Sequence, residues 1–134
     1  MTFNSKFRLG AHAVFTNDEG RVLQLKATYG NHDWGLPGGG LELGETMHEA
    51  LLRECHEELG VKIKILYLSG IYFHSIYNAH ACVFRCELPK NSKIKLSTEH
   101  SEYRYFSLNE LNTIQRQRVV DCLNFDGNVK SAKF

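Results

Sequence analysis

The sequence predicts a single α/β domain, because strand-like and helix-like segments alternate along its 134 residues. Residues 7–16 and 21–27 are strand-like and flank a strong turn signal, the Asn-Asp-Glu-Gly run at 17–20. Residues 46–60 begin with a capping-box sequence and end with a glycine suited to the left-handed position after a helix. A chain of this length can bury its own hydrophobic core, so residues 1–134 are expected to form one domain.

The rest of the chain adds further sheet and a second helical region. The expected elements are a polar loop at 29–33, a short strand at 34–36, β-rich segments at 62–75 and 79–88, a lysine-containing loop at 89–98, a strand at 101–106, a short helix from 107 to about 113 and an amphipathic helix at 115–125. Ser107 and Glu110 form a second capping box at the start of the short helix. The glycines at 38–40 are expected to form a turn that leads into the helix at 46–60.

Composition argues against several functional classes. A hydrophobic content of 43% and a charged content of 23% are ordinary for a globular protein. A net charge of +1 gives no basic footprint for stable nucleic-acid binding or for an anionic membrane. The chain begins without the apolar core of a signal peptide and has no apolar run long enough to span a membrane. We therefore expect a cytoplasmic protein, monomeric or homodimeric, that acts on a small molecule.

The four cysteines point to the same compartment. They contain no C-x-x-C pair and no spacing typical of a zinc site. A chain of this size with a good core has little need of a disulfide framework. All four are therefore predicted to be small buried hydrophobic residues, namely Cys55, Cys82, Cys86 and Cys122.

Carboxylates cluster on one face of the helix predicted at 46–60. The stripe suited to the core consists of Met47, Leu51, Cys55 and Leu59. Glu54, Glu57 and Glu58 fall on an adjacent face of about 100°. Carboxylates grouped in this way repel one another unless a cation or an arginine offsets their charge. Mg²⁺ prefers oxygen ligands and keeps waters that leave room for substrate phosphates, so this face is a candidate Mg²⁺ site, with Mn²⁺ as an alternative.

An E-x-x-E-E pattern on a helix is more often a solvated surface, and the residues before the helix decide against that interpretation. Gly38, Gly39 and Gly40 follow a tryptophan and a proline. Three consecutive glycines add conformational entropy to the unfolded chain, so a purely structural segment rarely gains from them. Close approach of the backbone to a metal or a phosphate is the better reason for their presence.

The run GGLELGETMHEALLRECHEELGV at residues 39–61 resembles the box that defines Nudix hydrolases. The matching positions are Gly39, Glu45, Arg53, Glu54, Glu57, Glu58, Gly60 and Val61. The resemblance implies an α/β/α sandwich around a mixed β-sheet. It also implies a hydrolase that cleaves a diphosphate linkage in a nucleoside diphosphate linked to another moiety.

The resemblance further implies roles for individual residues. The carbonyl of Gly38 and the carboxylates of Glu54, Glu57 and Glu58 would be the metal ligands. In the family, an ion pair such as that expected between Arg53 and Glu45 supports the site and holds the helix and the preceding loop in register. Gly39, the first residue of the box, belongs to the same supporting set.

A further carboxylate is expected to orient or deprotonate the attacking water. Family members often carry a glutamate shortly before the strand predicted at 101–106. Glu99 and Glu102 are the candidates, and Glu102 is preferred. The predicted catalytic residues are accordingly Arg53, Glu57 and Glu102, with either Glu57 or Glu102 as the general base.

Exposed aromatic side chains in loops near the box are candidates for stacking on a nucleobase. Tyr29, His32 and Tyr77 are the predicted substrate-binding residues. Tyr77 lies near the position of a tyrosine found in dinucleoside-polyphosphate hydrolases of the family, although nucleoside triphosphates and nucleotide sugars also remain open.

The alternative function is a catalytically silent Nudix-fold domain that binds a nucleotide as a sensor or interaction module. Such a domain would be expected to lose carboxylates of the box, because nothing would preserve a repulsive cluster. All three helix glutamates are present in this sequence, which favours the enzyme.

Overall fold

The computed structural model describes residues 3–134, which form two helices and eight strands. The elements are β1 Arg8–Val14, β2 Val22–Ala27, β3 Trp34–Gly35, β4 Gly38–Gly40, α1 Met47–Leu59, β5 Lys64–His74, β6 Ala79–Glu87, β7 His100–Phe106, α2 Thr113–Leu123 and β8 Lys130–Lys133, with short 3₁₀ turns at Ser75–Tyr77 and Leu108–Glu110. No helix in this part of the chain is long and apolar enough to cross a membrane.

The strands form two sheets. One is a five-stranded mixed sheet in the order β4-β1-β6-β5-β8, in which β1 lies parallel to β6 and β5 lies antiparallel to β6. The other is a three-stranded antiparallel sheet in the order β3-β2-β7. Together with one helix on each side, this arrangement confirms the predicted α/β/α sandwich around a mixed sheet.

Each helix covers its own hydrophobic core. Alternate side chains of a strand point to opposite faces of a sheet, so β1 contributes to both cores. The core under α1 contains Ala11, Ala13, Phe15, Leu23, Leu25, Leu51, Cys55, Leu59, Cys82, Phe84 and Cys86. The core under α2 contains Val14, Val22, Tyr72, Val83, Phe106, Leu111, Val119 and Cys122. All four cysteines are buried free thiols, as predicted.

The ends of α1 follow the signals in its sequence. Thr46 accepts a hydrogen bond from the Glu49 N–H at 3.1 Å, and the Glu49 carboxylate accepts one from the Thr46 N–H at 3.0 Å. Gly60 ends the helix in the left-handed conformation, with φ of 70°. The capping box and the terminal glycine are confirmed, so the register of the three glutamates on α1 is determined by local sequence.

Two strands differ from the sequence prediction. The glycines of β4 do not form a turn; they pair antiparallel with β1, from Gly10 opposite Gly40 to His12 opposite Gly38. The missed strand β8 pairs in parallel with β5. Its sequence, Lys-Ser-Ala-Lys, has little of the β-branched and aromatic character by which strands are recognised, so its position depends on the open edge of β5. Helix α2 begins two residues earlier than expected because Asn112 caps it.

The capping box of α1 provides a stability prediction. Thr46→Ala removes a cap that serves the Glu49 N–H, so we expect the free energy of unfolding to fall by about 1 kcal/mol. Thr46→Ser, which keeps the hydroxyl, should be close to the wild type. Urea denaturation of the three proteins measures both values, and equal losses in the two variants would show that the hydroxyl is not the stabilising group.

Candidate active site

The glycine strand β4 lies directly against the carboxylates of α1. The N–H of Gly38 donates to Glu58 Oε1 at 2.7 Å. Gly38 has φ of 134°, and a Cβ built there would overlap the backbone of Ala11 and His12. A Cβ on Gly39 would lie 2.7 Å from the carboxyl carbon of Glu54. Glycine is therefore required at position 38 by the backbone of β1, and at position 39 it leaves the space that the Glu54 carboxylate occupies.

The guanidinium group of Arg53 links the loop before α1 to the carboxylates of the helix. It binds both carboxylate oxygens of Glu45, with Nε at 2.7 Å and Nη2 at 2.9 Å, and Nη2 also donates to the Gly40 carbonyl at 3.1 Å. Nη1 donates to Glu54 at 2.9 Å and to Glu57 at 3.3 Å. The hydrogen bonds from Arg53 lower the pKa of Glu45, and those to Glu45 and Glu54 raise the pKa of Arg53. One cation thus orients carboxylates from both the loop and the helix.

Burial disfavours the ionised forms of two carboxylates on α1. Glu58 retains only 5% of its surface exposure. Its burial, with the negative charges of Glu54, Glu99 and Glu57, raises its pKa to about 8, against the opposing hydrogen bond from Gly38. Burial also raises the pKa of Glu54, although Arg53 opposes the shift. A cation bound beside these carboxylates would favour their ionised forms.

The donor set fits a hard cation that is only partly held by protein. Across residues 3–134, no three His, Cys, Asp or Glu side chains form a ready-made metal cage. Glu58 is held by the Gly38 N–H, whereas the Glu57 side chain is 56% exposed and reaches towards Arg53. Mg²⁺ is commonly bound by one or two carboxylates together with waters and substrate phosphates, so it does not require such a cage. The residues present therefore fit the group that the box implies.

Two histidines border the buried end of the cluster. His100 Nε2 lies 3.7 Å from Glu58 Oε2, but burial lowers the pKa of His100, so the contact is not an ion pair at neutral pH. Burial, with the positive charge of Arg118 and the neighbouring His74, lowers the pKa of His12 to about 3. Both rings are neutral, and neither offsets the glutamate charge.

The structure separates the two carboxylates that were candidates near β7. Glu102 lies opposite Lys26 in the neighbouring strand, with 3.6 Å between Lys26 Nζ and the carboxylate. It makes no hydrogen bond or ion pair with α1 within the described residues 3–134. The charge of Glu99, by contrast, contributes to the raised pKa values of Glu54 and Glu58. The catalytic role of Glu102 stays a prediction, and its position does not favour it.

Two adjoining cavities border β4 and share His12, Tyr29 and Gly39 in their walls. One, of about 370 Å³, is bounded by Gly38, Gly39 and Glu58, and the other, of about 590 Å³, by Gly39, Gly40 and Tyr77. Tyr29 lies in the walls of both cavities. His32 is exposed on the adjoining loop, with φ of 57°, and is in neither wall. Of the predicted substrate-binding residues, Tyr29 and Tyr77 are thus brought to the site.

Among the wall residues that sequence reasoning missed are His12, His100 and Arg118. Arg118 had a detectable signal, because it lies one turn before Cys122 on the buried side of α2, where a charge is unexpected. The two histidines lie on strands, and no local pattern in the sequence shows that they meet the glutamates.

The NUDIX domain profile matches residues 6–122 of the sequence. The chain belongs to the NUDIX family. It is a Nudix hydrolase, and the geometry of Glu54, Glu57 and Glu58 described above lies within the matched region.

Relatives support the same assignment. A MutT-like protein of Streptomyces ambofaciens is 30% identical over 118 residues, which cover 85% of this chain and 75% of the relative. An RNA pyrophosphohydrolase of Aeromonas hydrophila is 45% identical over 56 residues, but the match covers only 42% of this chain and 31% of that enzyme. The crystal structure of an ADP-ribose pyrophosphatase from Streptococcus suis has the same fold, with a TM-score of 0.76 at 17% identity, and the alignment covers 96% of this chain and 100% of that chain.

The raised pKa of Glu58 makes stability depend on pH. The unfolded chain loses this proton near pH 4.5 and the folded Nudix domain loses it only near pH 8, so ionisation of Glu58 lowers stability as pH rises between these values. Glu58→Gln removes this titration. In metal-free buffer, the free energy of unfolding of Glu58→Gln minus that of the wild type should therefore increase with pH across this window. The increase should be at most about 1.4 kcal/mol per pH unit.

Glu45→Gln is the matched control for this pH series. Because Arg53 lowers the pKa of Glu45, this variant should lose stability at neutral pH and approach the wild type on acidification. Thermal denaturation in EDTA at several pH values measures both trends. A Glu58→Gln difference that does not change with pH would contradict the assignment.

Gly39→Ala tests the close contact between β4 and α1. The new methyl group would displace the Glu54 carboxylate, so we expect a folded protein with about 1–3 kcal/mol lower stability and impaired metal-dependent turnover. Gly40→Ala is the control, because its Cβ would meet only the Leu9 carbonyl at 3.8 Å. Circular dichroism and hydrolysis assays compare the two, and equal activities would show that the Glu54 contact is not required.

Proposed function

We propose that this Nudix hydrolase cleaves a diphosphate linkage in a nucleoside diphosphate joined to another moiety, with Mg²⁺ or Mn²⁺ as its metal. The observation that carries this proposal is the contact of Glu54 and Glu58 with the glycine strand, with Glu57 linked to Glu54 through Arg53 and two adjoining cavities at the strand. A diphosphate placed at β4 could extend one substituent into each cavity. Such a substrate carries a substituent at each end of the diphosphate, and two cavities can hold both substituents.

The metal would be held by the carboxylates of Glu54, Glu57 and Glu58 and by the carbonyl of Gly38. When bound, the metal would neutralise charge on phosphate oxygens and lower the pKa of a coordinated water. The protein supplies the orientation of these ligands. Arg53 fixes Glu54 and Glu57 relative to the loop through its two contacts with Glu45.

Glu57 is the better supported general base. Glu54 is partly buried and held by Arg53, and Glu58 is buried and held by Gly38, whereas the side chain of Glu57 is 56% exposed and can be reached by an attacking water. In this proposal Glu57 accepts the proton of the water as its oxygen attacks phosphorus. The bond to the bridging oxygen then breaks, and the two phosphorylated products separate.

Tyr29 is the best placed residue for stacking on a nucleobase. It lies in the walls of both cavities, and its side chain is 63% exposed. Aromatic stacking tolerates any base, so it does not by itself select the substrate. The relatives named above include an RNA pyrophosphohydrolase and an ADP-ribose pyrophosphatase, so RNA and ADP-ribose both belong in a substrate panel.

The test is product release from that panel, with and without Mg²⁺. The panel comprises nucleoside triphosphates, nucleotide sugars, ADP-ribose, dinucleoside polyphosphates and RNA with a 5′-triphosphate. Metal-dependent release of a nucleoside monophosphate or of pyrophosphate is the expected result. No turnover of any compound, together with thermal stabilisation by one of them, would replace the proposal with the silent binding module.

Glu57→Gln is expected to lower kcat by about 100-fold or more while leaving the fold intact, because the amide cannot accept the proton. Glu102→Gln is the matched comparison. A large loss in Glu102→Gln with normal activity in Glu57→Gln would transfer the role of base to Glu102. Circular dichroism of each variant separates a loss of catalysis from a loss of folding.

A further inference from the structure

The larger cavity beside β4 has a positively charged wall. It extends from Gly39 and Gly40 to Arg118 on α2, with Arg8 at the end of β1 also in its wall. Within the described chain, no aspartate or glutamate borders this cavity. It therefore differs in charge from the neighbouring cavity, whose wall includes Glu58 and Asp33.

The Arg118 side chain is buried, lacks a counter-charge and leaves its Nε–H without an acceptor. Arg118 retains 8% of its exposure, and its Nε has no hydrogen-bond acceptor. Among residues 3–134 it has no ion pair within 4.0 Å. The carboxylate of Asp121, on the same helix, accepts a hydrogen bond from Tyr72 at 2.8 Å instead. Burial lowers the pKa of Arg118 to about 10, so the group remains charged at neutral pH. An unpaired charge in such a position is unfavourable for folding.

Two other arginines, Arg116 and Arg85, find acceptors within the fold, unlike Arg118. Arg116, two residues earlier on α2, donates to the carbonyls of Leu108 and Leu111 at 2.9 and 2.8 Å. Arg85 donates to the Val14 carbonyl at 2.9 Å and to other groups. Since the fold provides acceptors for these side chains, the lack of one at Arg118 points to a partner from outside the chain.

The other polar groups beside Arg118 do not replace that partner. Burial and the charge of Arg118 lower the pKa of His74, so it is neutral at neutral pH and brings no counter-charge. Gln115 has a buried amide oxygen without a partner, and rotation of the amide would present its N–H₂ group instead. A neutral acceptor on a ligand would satisfy one N–H but would leave the charge unpaired. An anion satisfies both requirements, and a phosphate matches the forked donors of arginine.

We propose that Arg118 forms an anion subsite that binds a phosphate group of the substrate beyond the diphosphate being cleaved. This inference rests on the proposed function. It narrows the substrate class to nucleoside diphosphate derivatives that carry a further phosphate in the moiety on the Gly40 side of β4. Arg8, in the same wall, adds a second positive charge for such a group.

The first test needs no catalysis. Inorganic phosphate is titrated into the full chain in EDTA, and the Nε–H resonance of Arg118 is followed by NMR. A saturable shift is expected in the wild type. Arg118→Met should weaken phosphate binding by about tenfold to a hundredfold, because a charge-assisted pair of hydrogen bonds is lost. Arg118→Lys, which keeps the charge but loses the fork, should bind with intermediate affinity. In the two variants, binding is read from the resonances of His74.

Arg116→Met is the matched control on the same helix. It should bind phosphate like the wild type but unfold at a lower temperature, because three carbonyl contacts are lost. Arg118→Met should instead unfold at the same or a higher temperature, since it removes an unpaired buried charge. Absence of a saturable shift in the wild type, or equal binding by Arg118→Met, would overturn the subsite. A large fall in the unfolding temperature of Arg118→Met would show a structural role instead.

The second test distinguishes a phosphate of the substrate from a free phosphate effector. With a substrate that the wild type hydrolyses, inorganic phosphate should inhibit competitively. Arg118→Met should raise KM for that substrate while changing kcat little. Binding without competition would place the anion outside the substrate path and overturn the proposal. If no substrate is turned over, the proposed function fails, whereas the EDTA titration still decides the existence of the subsite.

Discussion

The contact between the glycine strand and α1 is the constraint on which the rest of the site depends. Because Gly38 and Gly39 have no side chains, β4 can pair with β1 and still lie against the carboxylates of Glu54 and Glu58. A side chain at Gly38 would overlap the backbone of β1, and one at Gly39 would displace the Glu54 carboxylate. The position of the carboxylates is therefore set by the hydrophobic packing of α1 and by the sheet, and it needs no mobile loop to maintain it.

The positive charges of the fold do not balance the carboxylates of α1. Arg53 offsets Glu45 and part of the charge on Glu54, but it lies on one side of the cluster and makes no contact with Glu58. Burial of Glu58 beside other carboxylates is a cost that tertiary packing has to overcome. Sites of this kind exchange stability for function, and a bound cation returns part of the lost stability by favouring the ionised carboxylates.

Local signals in the sequence predicted the elements whose ends and faces depend on neighbouring residues. The capping box at Thr46, the terminal Gly60 and the apolar stripe of α1 were sufficient to place the glutamates on one face. The strands β4 and β8 were missed because three glycines and a Lys-Ser-Ala-Lys segment become strands only when an open sheet edge is available. His100 meets Glu58 through tertiary packing that no sequence spacing records.

The charges that the fold leaves unpaired differ in sign between the two cavities. In one cavity beside Gly39 the buried carboxylate of Glu58 lacks a positive partner, and in the other the buried Arg118 side chain lacks a negative one. These groups do not neutralise one another, because the glycine strand and His12 lie between the two cavities. A ligand that combines a divalent cation with phosphates at two positions would complete both sets at once. The unlike charges of the two cavities therefore match the charge distribution of the proposed substrate, whichever nucleobase it carries.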